Sequence, residues 1–69
     1  MTRFFVRASA VADGTVTITG ADAYHIARAL RMATGERITV CDMQKNEYQC
    51  VLTHIRDDIV TAEILSSRK

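Results

Sequence analysis

The sequence predicts a mainly β fold, a small barrel of about five short strands with one α-helix after the second strand. Three observations carry this. Thr15-Val16-Thr17-Ile18-Thr19 alternates strictly between polar and apolar residues, the period of a half-buried strand. From Gly20 to Met32 the period changes, and Ala23, Ile26, Ala27 and Leu30 fall on one helical stripe. Turn signals at Asp13-Gly14, Met43–Asn46 and Asp57-Asp58 cut the remainder into short extended runs.

Taken in order, Arg3-Phe4-Phe5-Val6-Arg7 opens the chain as a β-rich run with a cation at each end. Phe4 and Phe5 are adjacent, so in a strand one ring enters the core and the other, pointing outward, meets a neighbouring segment. Thr19 and Asp22 have the spacing of a capping box, with the acidic residue where the helix dipole favours it. Tyr24, Arg28 and Arg31 lie opposite the apolar stripe, with His25 at its flank. Small alanines on the inner stripe let the helix sit close to a sheet. Gly35 ends the helix in the left-handed conformation that glycine adopts cheaply. Glu36–Asp42 and Glu47–Thr53 form a hairpin around Met43-Gln44-Lys45-Asn46, with Asn46 in the left-handed region, and Ile59–Leu65 is the last strand. Residues 1–65 thus make one domain, and the polar residues 66–69 read as the start of a linker.

A chain of 69 residues without Pro or Trp has room for one small core and too little for a catalytic domain with a cofactor cleft. Such a core supplies roughly 3–5 kcal/mol. The net charge of +1 does not announce a nucleic-acid binder, but its distribution is uneven. Arg3, Arg7, Arg28 and Arg31 stand in the first half against Asp13 and Asp22 alone, while Glu36, Asp42, Glu47, Asp57, Asp58 and Glu63 come later. That asymmetry favours a one-sided basic patch. In the expected hairpin, Cys41 and Cys50 share a sheet face as diagonal neighbours, about 7–8 Å apart at Cα and too far for easy bridging. They are expected as buried free thiols in a reducing cytosol. No run approaches the roughly 20 apolar residues of a membrane span, and no signal-peptide stretch opens the chain. A cytoplasmic protein with no membrane partner is the expectation.

Motifs of catalysis are absent from the sequence: there is no glycine-rich phosphate loop, no G-x-S-x-G and no Cys-x-x-Cys. His25, His54, Cys41 and Cys50 make four ligands by count but lack the paired spacing of structural zinc sites, so no metal site and no catalytic residue is assigned. His25 either anchors the helix or joins its basic face; His54 is expected to be exposed near a strand end. The arginines carry more chemistry, because a guanidinium binds phosphate in bidentate fashion and stacks on bases. Arg28 and Arg31 stand one helical turn apart, and Arg3 and Arg7 join them if the first strand lies beside the helix. Tyr24 either offers a stacking surface for an unpaired base or is partly buried at the helix–barrel seam.

Four blocks then carry a resemblance: Arg3-Phe4-Phe5-Val6, Ile18-Thr19-Gly20-x-Asp22-Ala23-x-His25, Arg28-x-Leu30-Arg31 and Gly35-Glu36-x-Ile38-Thr39-Val40-x-Asp42. In this order they resemble the N-terminal domain of the RsmE family, bacterial methyltransferases of a small-subunit ribosomal RNA uridine at ring nitrogen three. The resemblance implies a PUA-like RNA-binding barrel without cofactor of its own. It also implies a following knotted SPOUT-type domain, absent from these residues, that binds S-adenosylmethionine and forms a homodimer. This chain by itself would be monomeric and not an enzyme. Two departures stand out: Met43–Asn46 replaces the family's usual glycines in that turn, and Tyr24 stands where the family often has His. The resulting expectation is a module that binds small-subunit ribosomal RNA through Arg3, Arg7, Tyr24, His25, Arg28 and Arg31. Its backbone contacts would fix position without reading sequence. The alternative is a packing module that supports its own catalytic domain or a dimer, with Arg28 and Arg31 paired to carboxylates across an interface.

Overall fold

The computed structural model describes Arg3–Arg68. Six strands form one curled sheet: β1 (Arg3–Phe5), β2 (Val11–Ala12), β3 (Thr15–Thr19), β4 (Arg37–Cys41), β5 (Glu47–Ile55) and β6 (Ile59–Arg68). Their order is β1-β4-β5-β6-β3-β2, antiparallel throughout except for the parallel pair β1–β4. The expected mainly β barrel with one helix is therefore present, with β2 as an additional strand. Two residues are too few to show a period, which is why Val11-Ala12 gives no sequence signal.

Alternate residues of each strand fill the inner face. Val16 and Ile18, Ile38 and Val40, Cys50 and Leu52, Val60 and Ala62 pack together with Phe4 and with Ala23 and Ile26 of the helix. The long β5–β6 hairpin bends because register shifts lie between Gln49 and Cys50 and between Leu52 and His54. Each extra residue kinks its strand and tightens the curl. Phe4 belongs to the core, and Phe5, on the opposite face of the strand, is 66% exposed.

The helix begins as α1 (Gly20–Tyr24) and continues as a wider π-helical turn over His25–Ala29. A helix this short is marginal alone, and full burial of Ile26, worth roughly 2–3 kcal/mol, anchors it to the sheet. Two expectations about its ends change. Thr19 is the N-cap but makes no side-chain capping bond, so the capping box is not formed; Gly20, at φ +68°, makes the turn into the helix. At the other end the helix stops at Ala29, three residues before Met32. Leu30 N–H bonds the His25 carbonyl, and Met32 N–H bonds the Ile26 carbonyl. Arg31, at φ +49°, takes the left-handed place expected of Gly35. The π turn adds a residue per turn and rotates the residues after it, which carries Leu30 off the apolar stripe to 39% exposure. Gly35 is left-handed too, but in the turn into β4, where its N–H bonds the Leu52 carbonyl.

Two further corrections come from the hairpins. Register pairs Ile38 with Cys50 and Cys41 with Glu47, so Cys41 and Cys50 lie on opposite faces of the sheet instead of sharing one. Both are buried free thiols. Strand β6 runs on through Ser66 and Ser67 to Arg68, opposite Gln49, Tyr48 and Glu47, so this part of the expected linker is sheet. Both faces are exposed there, and no alternation marks it in the sequence. Lys69 lies outside the described residues.

Candidate functional site

The six sequence-predicted site residues separate into three places. Tyr24, His25, Arg28 and Arg31 occupy the helix and its end, all on the exposed surface. Arg28 and Tyr24 are four residues apart in the helical segment. The Arg28 guanidinium donates from Nε to Asp57 Oδ1 at 3.0 Å and from Nη2 to Asp57 Oδ2 at 2.7 Å. Asp57 sits in the β5–β6 turn, which register places beside the start of the helix through the Thr19–Ile59 pair. The hydrogen bond to Asp57, with the charge it carries, holds Arg28 above its ordinary pKa; the same hydrogen bond holds the Asp57 carboxyl below its own. With both side chains more than half exposed, this pair orients Arg28 more than it stabilises the fold.

Arg31 makes no side-chain hydrogen bond or ion pair among the described residues, and its backbone holds the left-handed conformation. For a residue with a Cβ that conformation costs on the order of 1–2 kcal/mol. Arg28 and Arg31 thus project from different backbone geometries, not one helical turn apart on a regular helix. Tyr24 is 57% exposed. His25 is exposed, and only its backbone carbonyl serves the helix end.

The other two arginines stand elsewhere. Arg3 does not join the helix: β1 pairs with β4, and Arg3 Nη2 bonds Glu47 Oε2 at 3.2 Å. Glu47 also receives Arg68 Nη2 at 3.4 Å, giving a small surface network across β1, β5 and β6. Arg7 follows β1 and lines a cleft with Asp22 of the helix's first turn. The expected single basic patch is therefore divided. Arg56, Lys45 and Arg68, which no motif singles out in the sequence, are further exposed cations, and strand pairing brings Arg68 to Glu47 beside Arg3.

Asp42 is the most heavily bonded carboxylate described. It accepts from Gln44 N–H at 2.8 Å, Asn46 N–H at 3.0 Å, Asn46 Nδ2 at 2.9 Å and Tyr48 Oη at 3.2 Å. These bonds, that to the Asn46 side chain foremost, hold its carboxyl below the ordinary range. Tyr48 is raised by its burial and then by the Asp42 charge. Here the glycine-free turn is built: Asp42 caps the loop, and Lys45 at φ +69°, not Asn46, takes the left-handed position. His54 is exposed, with Nδ1 3.4 Å from Thr61 Oγ1. No group of three or more His, Cys, Asp or Glu side chains among the described residues is placed to hold a metal.

Residues 18–65 match the family model described as RNA methyltransferase PUA domain. No curated protein sequence matches the chain. Among solved structures, a ribosomal RNA small subunit methyltransferase E from Neisseria gonorrhoeae, bound to S-adenosyl methionine, superposes with TM-score 0.82 at 26% identity. That match covers 100% of this chain and 29% of the other. A predicted RNA methyltransferase from Thermotoga maritima superposes with TM-score 0.85 at 22% identity, over 99% of this chain and 30% of that one. This chain thus spans less than a third of the length of either.

Proposed function

We propose, since this chain belongs to the RNA methyltransferase PUA domain family, that it is the RNA-binding domain of a longer methyltransferase. Its RNA is that of the small ribosomal subunit, held for S-adenosylmethionine-dependent methylation of a uridine at ring nitrogen three. The observation that carries this reading is the exposed end of the helix. There Arg28, oriented by Asp57, stands on the same helical segment as the exposed Tyr24 ring, and Arg31 carries no partner among the described residues. One guanidinium oriented by Asp57, a second exposed guanidinium and an aromatic side chain suit the phosphates and an unstacked base of structured RNA. An RNA phosphate competes with Asp57 for Arg28, so the ion pair keeps the guanidinium aimed without burying it.

Cofactor binding and methyl transfer belong, in this reading, to a following SPOUT domain, and the intact enzyme works as a cytoplasmic homodimer. The chain's own part is to dock and orient the RNA.

The test is binding of the chain to a small-subunit ribosomal RNA hairpin across a salt series. Replacing Arg28 and Arg31 together by Ala should weaken binding about tenfold or more and flatten the salt dependence by one to two phosphate contacts, ~0.9 in logarithmic slope for each. Unchanged affinity and slope in a folded double variant reject the reading and favour the packing module.

A further inference from the structure

We infer that the seam of the half-barrel is a second RNA contact, a cleft that takes one unpaired nucleotide with its base on Phe5 and its phosphate on Arg7. This rests on the RNA-binding reading above and adds a site that the helix end does not supply. The sheet curls but does not close, and edge strand β1 and the segment after it come round to face β3 and the first turn of the helix. Between them is an open cleft of about 480 Å³ lined by Phe5, Arg7, Ser9, Thr17, Thr19 and Asp22, among others.

Its chemistry is mixed in a particular way. Phe4 and Phe5 alternate across β1, so burying Phe4 forces the Phe5 ring outward, where 66% of it remains in contact with water. No core demand explains a phenylalanine at that position. Arg7 is exposed and makes no ion pair among the described residues, although Asp22 lines the same cleft. Thr17 and Thr19 are on the strand face opposite the buried Val16 and Ile18, and they give the β3 wall hydroxyl groups. An aromatic face, a free guanidinium, hydroxyls and one carboxylate acceptor match a nucleotide part by part: base, phosphate, ribose hydroxyls and a base or sugar donor. A paired nucleotide in an A-form helix keeps both faces of its base stacked and cannot use Phe5. The cleft therefore selects loops, bulges or ends.

The chain contains no tryptophan, so Phe5→Trp gives a single fluorescent reporter at an exposed position. The probes are a short single-stranded oligouridine and a blunt RNA duplex of equal charge, with wild-type Phe5 ring resonances followed by NMR as a second readout. The expected result is quenching and a ring shift with the single strand, no quenching with the duplex, and at least fivefold weaker single-strand binding in Arg7→Ala. If the hairpin still binds through the helix end while the Phe5 ring ignores every RNA, the seam site is overturned and the function proposed above stands. If no RNA binds at all, both fall. Equal quenching by strand and duplex also overturns it, since a flipped base would then not be what Phe5 meets.

Discussion

Arg31 is the residue where structure and function pull apart most usefully. Its φ of +49° closes the helix, a task glycine performs at lower cost. Arg31→Gly should therefore stabilise the domain by about 1 kcal/mol, read as a rise of ~4–8 °C in Tm. RNA binding should fall in the same variant, because the guanidinium is gone. A variant that melts higher yet binds RNA equally well would leave Arg31 with no role beyond its backbone. Cys50 tests burial at the same scale. Its thiol is fully buried, and desolvation raises its pKa to about 11. As the thiolate is the reactive form, Cys50 should resist a thiol reagent at pH 8 in the native state and react only as the chain unfolds. Prompt labelling of Cys50, located by mass spectrometry, would contradict this packing.

At the scale of elements, the β4–β5 turn shows how a loop without glycine is held. Asp42 replaces the missing backbone freedom with four hydrogen bonds to the loop and to Tyr48. Its folded pKa is depressed below 3.8, so the native state binds the proton less readily than the unfolded chain. The stabilisation is present above the unfolded value and is lost as pH falls through the folded one. Wild type should lose stability below about pH 4 through this group, whereas Asp42→Asn should be less stable at neutral pH by on the order of 5–10 °C in Tm and show a shallower acid dependence. Thermal melts between pH 2.5 and 7 check both; identical acid slopes would mean that Asp42 has no part in the acid sensitivity. The helix makes the complementary point. Its inner stripe is legible at Ala23 and Ile26, because those positions keep the helical period. Leu30 departs from it because the π turn shifts the phase after Tyr24, and nothing in His25–Ala29 marks that shift.

For the whole molecule, a single small core carries nearly all the stability. Leu52, 1% exposed, packs in the middle of it. Its truncation to Ala costs about 2–5 kcal/mol, comparable with the roughly 3–5 kcal/mol available to a domain of this size. Leu52→Ala should thus be largely unfolded at 25 °C, with amide NMR signals collapsed to random-coil positions; a dispersed native spectrum would mean that the core is larger in effect than its residues suggest.

The sequence by itself determined the fold class, one helix among short strands and most strand positions. Those depend on local period and turn chemistry, which are written along the chain. It also marked the arginines and Tyr24 as the groups able to meet RNA. Only the tertiary structure decided how they are grouped. Strand pairing puts Arg3 with Glu47 and Arg68, brings Asp57 to Arg28, and curls Arg7 and Phe5 round to β3. It also set Cys41 and Cys50 on opposite faces and carried β6 to Arg68. Such outcomes arise from register, bulges and curl, each of which joins residues far apart in the chain, and no local pattern of residues encodes them.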